Sequence, residues 1–253
     1  MTNQAHKQEI IDQFSQQAGA YSAITAHSDA LDRLIHLSSV KATDTVLDIA
    51  CGSGIVACAF AEHAGHVTGI DITEGMIEEA RKLQQKKGLK NMHWQIGEVE
   101  VLPYQNNSFS IVVSRFGFHH FLEPVKVLAE MARVCKKDGC VLVVDVALPA
   151  GKVNAYNRME KLRDPSHTAA LTHEQFIALF EEAGLTNIRH ESYRMPIELE
   201  QQLNASFPQK GKKAELKQMI LHDVGVNALG IDATEINEQV HIHYPVSIYA
   251  ATK

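Results

Sequence analysis

The sequence predicts an α/β fold, a mostly parallel sheet with helices on both faces. Three observations carry that reading. Seven short apolar runs alternate with longer segments of helical periodicity. The run "VLVV" within residues 140–146 is continuously apolar, as a parallel strand buried on both faces should be. The stretch "VLDIACGSGIVA", residues 46–57, reads as strand, glycine turn and helix in direct succession.

Taken in order, the chain opens with amphipathic helical spacing over Gln8 to Phe14 and Ala30 to Leu37. The strand runs are "TVLDIA" (45–50), "HVTGID" (66–71), "MHWQIG" (92–97), "SIVVSR" (110–115), "CVLVVDV" (140–146), "IRHESYRMP" (188–196) and "PVSIYAATK" (245–253). Between them, "EGMIEEARKLQQKK" and "PVKVLAEMARVC" place apolar residues at helical spacing. After Pro196 the alternation fails: "ELEQQLNASF" and "KAELKQMILHDV" read as helices, and "TEINEQV" (234–240) as a possible third. Neither a low-complexity linker nor a repeat interrupts the chain, so one domain over 1–253 is expected, with the late helices lying over the ligand end of the sheet.

Composition sets bounds on function. With 45% hydrophobic and 21% charged residues over 253, the chain is an ordinary globular protein able to build one sizeable core. A formal net charge of −6 argues against nucleic acid as a partner, since such domains carry a basic patch. The clusters "RKLQQKKGLK" (81–90) and "KGKK" (210–213) read as solvated faces. No apolar run approaches the roughly 18 residues of a membrane span, and the N-terminus has no secretory pattern, so a cytoplasmic location is expected. Cys51, Cys58, Cys135 and Cys140 form no C-x-x-C pair and read as reduced core thiols, with no metal implied.

Gly52 and Gly54 let the backbone turn sharply and bring a ligand close to main-chain N–H groups. By itself "GSGIVA" also matches the dinucleotide fingerprint, a weak signal. Asp48 lies just before the turn, where a carboxylate repels a pyrophosphate and attracts a cation. Asp71 ends the next strand, where an acid accepts hydrogen bonds from ribose hydroxyls, which fits NAD and S-adenosylmethionine equally.

"VLDIACGSG", the acidic strand end at Asp71, "GEVEVLPY" followed by "NNSFSIVVSR", and "HHF" with "EMARVCKKDGCVLVVD" behind it resemble class I S-adenosylmethionine-dependent methyltransferases, in particular the ubiquinone/menaquinone-biosynthesis-like (UbiE-like) group. The likeness spans roughly residues 40–150; "FSQQAGAY" and "EKLRDPSHTAALTHEQFIALFEEAGL" extend it. It implies a Rossmann-like three-layer sandwich with a seven-stranded, mostly parallel sheet, an antiparallel last strand and a helical lid at about 196–240. Residues 1–40 become a helical cover, 41–150 the cofactor-binding core and 151–253 the acceptor-side half.

Carried over by residue, the resemblance puts Asp48, Ala50, Gly52 and Gly54 around the methionine part of S-adenosylmethionine. Asp71 holds the ribose, Ile72 and Met76 pack on the adenine, and Gly97, Glu98 and the backbone of Val99 read its edge. Ser114 and Arg115 line the sulfonium region, and Tyr21 closes over the methionine carboxylate. Glu98 and Ser110 stand where the family often has aspartate. The product is S-adenosylhomocysteine.

Because a sulfonium is already an activated methyl donor, the protein's main task is to align an acceptor and exclude water. A base is needed only for an acceptor that loses a proton. His119 and His120 follow the fourth strand at its carboxyl end and are the candidates. Asp145, Arg163 and His167 are candidates for the acceptor pocket, although "RDPSH" also reads as an ordinary turn. The reading is therefore a methyltransferase acting on O, N or C of a small molecule. A noncatalytic cofactor-binding module and an NAD-dependent oxidoreductase remain its rivals, and the oligomeric state is open.

Overall fold

The computed structural model describes residues 3–22, 30–208 and 211–253, with side chains omitted at 20–22. Parallel strands β1 (Thr45–Ile49), β2 (His66–Asp71), β3 (Met92–Ile96), β4 (Phe109–Arg115) and β5 (Cys135–Val146) form the body of the sheet. The order is β3-β2-β1-β4-β5-β8-β6, where β6 is Thr186–Glu198 and β8 is Gln239–Thr252. Strand β8 runs antiparallel to both β5 and β6, as expected of the last strand.

Chain direction across the sheet reverses between β1 and β4. Beyond the carboxyl ends of these two strands a crevice must open, because the following helices leave in opposite directions.

Alternation along each strand sorts side chains onto two faces. Val46 joins one core with α2 (Leu31–Ser38), α3 (Ile55–Ala61) and α4 (Glu74–Lys87). Leu47 joins the other with α5 (Pro124–Val134) and α7 (His173–Glu182). Helix α1 (Asn3–Ser22) crosses the crevice, and α6 (Ala150–Arg163), α8 (Leu199–Ala205) and α9 (Lys213–His222) close its far side.

Three local features refine the sequence reading. "TEINEQV" is a hairpin, not a helix: β7 (Thr234–Ile236) pairs with β8 as an eighth strand. Asn237 and Glu238 both take left-handed backbone (φ 51° and 65°), the conformation a two-residue hairpin loop requires. Strand β6 runs on to Glu198, and the two segments read as lid helices fold as α8 and α9. Ser110 ties β4 to β1: its Oγ accepts from the Thr45 N–H (2.9 Å) and donates to the Thr45 carbonyl (3.1 Å).

The four cysteines are free thiols, and burial pushes Cys135 up to about 11 and Cys58 and Cys140 to about 12. No helix among the described residues is long and apolar enough to cross a membrane.

Candidate active site

Strand β1 ends in a turn with three left-handed residues, Ala50 (φ 50°), Gly52 (51°) and Gly54 (76°). A side chain on Gly52 would meet no neighbouring atom, so this position opens onto space. Gly54 is glycine for a different reason. A Cβ there would stand 2.6 Å from the Trp94 ring and 2.8 Å from Ala80, so Gly54 packs beneath the turn as the N-cap of α3 and does not border the cavity.

Asp48 is buried under the same turn and its Oδ2 accepts from the Ala57 N–H at 3.0 Å, in the first turn of α3. Burial pushes this carboxyl up to about 8, and nearby Asp71 adds to the effect against the Ala57 bond and the Arg115 charge. Asp71 accepts from the Gly52 N–H through Oδ2 and from the Thr73 N–H through Oδ1, both at 2.8 Å. Burial raises its pKa and those two backbone bonds oppose the rise. One carboxylate thus fixes the glycine turn and the start of α4 together, leaving a lone pair on each oxygen.

A cavity of about 1060 Å3, its mouth included, lies above these groups. Of the residues singled out in the sequence, Ala50, Gly52, Asp71, Ile72, Met76, Gly97, Glu98, Val99 and Arg115 line it. Asp48 and Gly54 sit behind the lining. Ser114 is fully buried and not itself part of the lining; its Oγ lies beside Gly117, which is. Tyr21 lies near the end of α1, and its side chain is outside the described residues.

Helix α1 forms the roof, where the sequence predicts only a helical cover. Its Lys7 Nζ reaches Glu98 (2.6 Å) and Glu100 (3.1 Å), and Asn3 donates to Glu100 (2.9 Å). The Glu98 carboxylate is therefore engaged by Lys7 and half exposed. His6 donates through Nε2 to the His120 carbonyl at 2.7 Å. The signal lay in a polar helical face: His6, Gln13 and Gln17 are buried although a core-facing helix would carry apolar residues there.

A second cavity of about 610 Å3 adjoins the first, and Phe14, Phe116 and His120 line both. Phe116 holds left-handed backbone (φ 59°), rare for a bulky side chain, and its ring carries the Arg115 guanidinium at 4.4 Å. His119 borders only the second cavity. Its Nδ1 donates to Asp145 Oδ1 (2.6 Å) and its backbone N–H to Oδ2 (3.2 Å). Burial pulls the His119 pKa down, but the Asp145 carboxylate outweighs it and the net shift is upward.

His120 behaves oppositely. Burial and the adjacent His119 push it down to about 3, while its Nδ1 donates to the Ser166 carbonyl at 3.2 Å. The two rings lie 4.3 Å apart. Asp145, expected to touch an acceptor, instead stands behind His119. His167 is also outside the lining, bonded through Nε2 to Asn157 (2.9 Å).

Arg163 does line the second cavity, clamped to Glu160 through Nε (2.8 Å) and Nη2 (2.6 Å). The "RDPSH" turn is real as well: Asp164 Oδ1 accepts from the Ser166 N–H and hydroxyl at 2.9 and 2.6 Å. Among the described residues no cluster of three His, Cys, Asp or Glu has metal-holding geometry.

The methyltransferase-domain model matches residues 47–143, the segment carrying β1 to β5 and the first cavity's floor. An uncharacterized methyltransferase, YcgJ of Bacillus subtilis (strain 168), is 33% identical over 214 residues, 83% of each chain. The chain is a class I S-adenosylmethionine-dependent methyltransferase. The crystal structure of the YcgJ protein superposes on the methyltransferase with a TM-score of 0.81 at 27% identity, over 90% of this chain and 98% of that one. The UbiE C-methyltransferase of Bdellovibrio bacteriovorus is 34% identical over 163 residues, 61% of this methyltransferase and 67% of its own length.

Proposed function

We propose that this methyltransferase binds S-adenosylmethionine in the first cavity and a small-molecule acceptor in the second. The single observation that carries the reading is the shared wall of Phe14, Phe116 and His120, where two ligands would meet while both stay covered by α1. The first cavity fits the cofactor chemically. Asp71 has lone pairs for ribose hydroxyls, Ile72 and Met76 offer an apolar bed for adenine, and buried Asp48 favours a cationic group near the turn. When bound, the cofactor supplies an activated methyl group on a sulfonium.

The protein's own work is orientation, exclusion of water and proton removal. His119 Nε2 would take the proton that the acceptor's oxygen, nitrogen or carbon loses on methylation, the bound cofactor supplying the methyl group and keeping the electron pair of the broken bond on its sulfur. His119 suits this role because Asp145 fixes its tautomer and stabilises its charged form. His120, kept neutral by burial, serves as wall between the ligands. Arg163 contacts the acceptor; Asp145 is a positioning residue for His119, and His167 buttresses the turn behind it.

The reading is tested by calorimetry with S-adenosylhomocysteine on the unmutated protein and on Arg115→Ala and Phe116→Ala. Binding that both substitutions weaken supports the first cavity as its site. Unchanged binding in both refutes it.

A further inference from the structure

The second cavity contains buried polar atoms that no hydrogen bond to a described residue takes up. Gln17 of α1 is 2% exposed and its Nε2 has no hydrogen-bond partner among the described residues. Gln202 of α8 is 7% exposed and its Oε1 is equally unpartnered. Both residues line this cavity, from different helices. Arg163 spends Nε and Nη2 on Glu160 and makes no bond through Nη1 to a described residue. A buried donor or acceptor left without a partner costs stability, so such groups mark a place where a ligand completes the bonding.

Charge narrows the choice. Glu160, Asp164 and Asp145 stand in or behind this wall against the single guanidinium of Arg163, with His119 paired to Asp145. An added carboxylate would enter beside three buried acids. An ammonium group would present only donors to the Arg163 and Gln17 donors. The ligand these groups complement is uncharged, with a carbonyl oxygen for the N–H donors and an N–H or O–H for Gln202. A primary carboxamide offers both, and it does so whichever way the two glutamine amides are turned.

Resting on the two-cavity reading above, we infer that the acceptor is a compact, uncharged molecule that carries a carboxamide or similar carbonyl group beside the atom to be methylated. Gln17, Gln202 and Arg163 are its specificity-determining contacts. A large apolar hydroxy-aromatic would fill the cavity but leave these groups buried and unmet.

The test uses the full chain saturated with S-adenosylhomocysteine and three probes at millimolar concentration: 2-hydroxybenzamide, 2-hydroxybenzoate and 1-naphthol. Melting shifts and calorimetric affinity are read for the unmutated protein, Gln17→Met and Gln202→Met. The expected result is tightest binding of 2-hydroxybenzamide, weakened about ten-fold by either substitution, the loss of roughly one neutral hydrogen bond. Affinity for 1-naphthol and for S-adenosylhomocysteine should hold, and the ligand-free melting temperature should stay level or rise. A substitution that lowers the ligand-free melting temperature instead overturns the inference, because the amide then serves the fold. No response to 2-hydroxybenzamide, a stronger response to either other probe, or a response the substitutions leave intact also overturns it. If S-adenosylhomocysteine itself fails to bind the unmutated protein, the two-cavity reading falls and this inference with it.

Discussion

Asp71→Ala separates the two tasks assigned to one carboxylate. Its oxygens accept from Gly52 and Thr73 at 2.8 Å each, so removal leaves two backbone N–H groups at a buried turn unmet. Stability should fall by about 1–3 kcal/mol, the usual cost of orphaning buried donors. For a chain of this size that is a drop of roughly 2–4 °C in Tm per kcal/mol. Loss of the ribose contacts should weaken nucleoside binding by about ten- to a hundred-fold, about 1.4–2.8 kcal/mol. A double cycle isolates the second effect from the first. Adenosine and 2′,3′-dideoxyadenosine are titrated into both proteins by calorimetry, because only adenosine has hydroxyls for Asp71 to accept from. Unmutated protein should prefer adenosine and Asp71→Ala should not. If the variant keeps the preference, the ribose assignment is wrong, whatever happens to its stability.

Other consequences follow from the same geometry. With His119 in the proposed role of base and its pKa above the ordinary histidine value, methyl transfer should rise with pH through that value. Asp145→Asn should shift the profile to lower pH with a reduced rate, and an unmoved profile would contradict the dyad. Asp48, neutral up to about pH 8 in the free protein, should ionise when a cationic ligand binds. S-adenosylmethionine affinity should therefore increase toward pH 8 with proton uptake by buffer, more steeply in calorimetry than that of S-adenosylhomocysteine, which keeps the ammonium group but lacks the sulfonium charge. Gly54→Ala places a methyl against Trp94 and Ala80 at a left-handed position. It should cost about 2 kcal/mol or more in urea unfolding, and a neutral result would contradict the packing. His120 has a folded pKa near 3, below its unfolded value, so its contribution is intact above about pH 6.5 and lost as pH falls toward 3. His167, also depressed by burial, acts in the same direction. Asp48, Asp71 and His119, raised in the folded state, oppose them, so the readout is a difference: the urea midpoint of His120→Asn should gain on that of the unmutated protein as pH falls from 7 to 5, and a constant gap would contradict the burial of a neutral His120.

Much of the fold was legible because its signals are local. Each β1 to β5 run is a short apolar segment, and the glycine turn after Ile49 has few alternative conformations. "TEINEQV" misled because its apolar spacing suits a helix, whereas Asn237 and Glu238 adopt a hairpin turn without the glycine that usually announces one. At the site, most of the first cavity's lining comes from strand ends and the turns that follow them, so motif order located it. Ser114, singled out with Arg115, is buried just behind the lining. The second cavity was far less visible, since Gln17, Arg163 and Gln202 come from three helices and converge only in three dimensions. The Asp145 carboxylate meets His119, and a contact across two elements has no sequence spacing to reveal it.

The most direct test of the central claim is a thermal-shift comparison of S-adenosylmethionine, S-adenosylhomocysteine and NAD on the unmutated protein. The cavity described above predicts a raised Tm with the first two and none with NAD. A shift with NAD alone, or with none of the three, would contradict it.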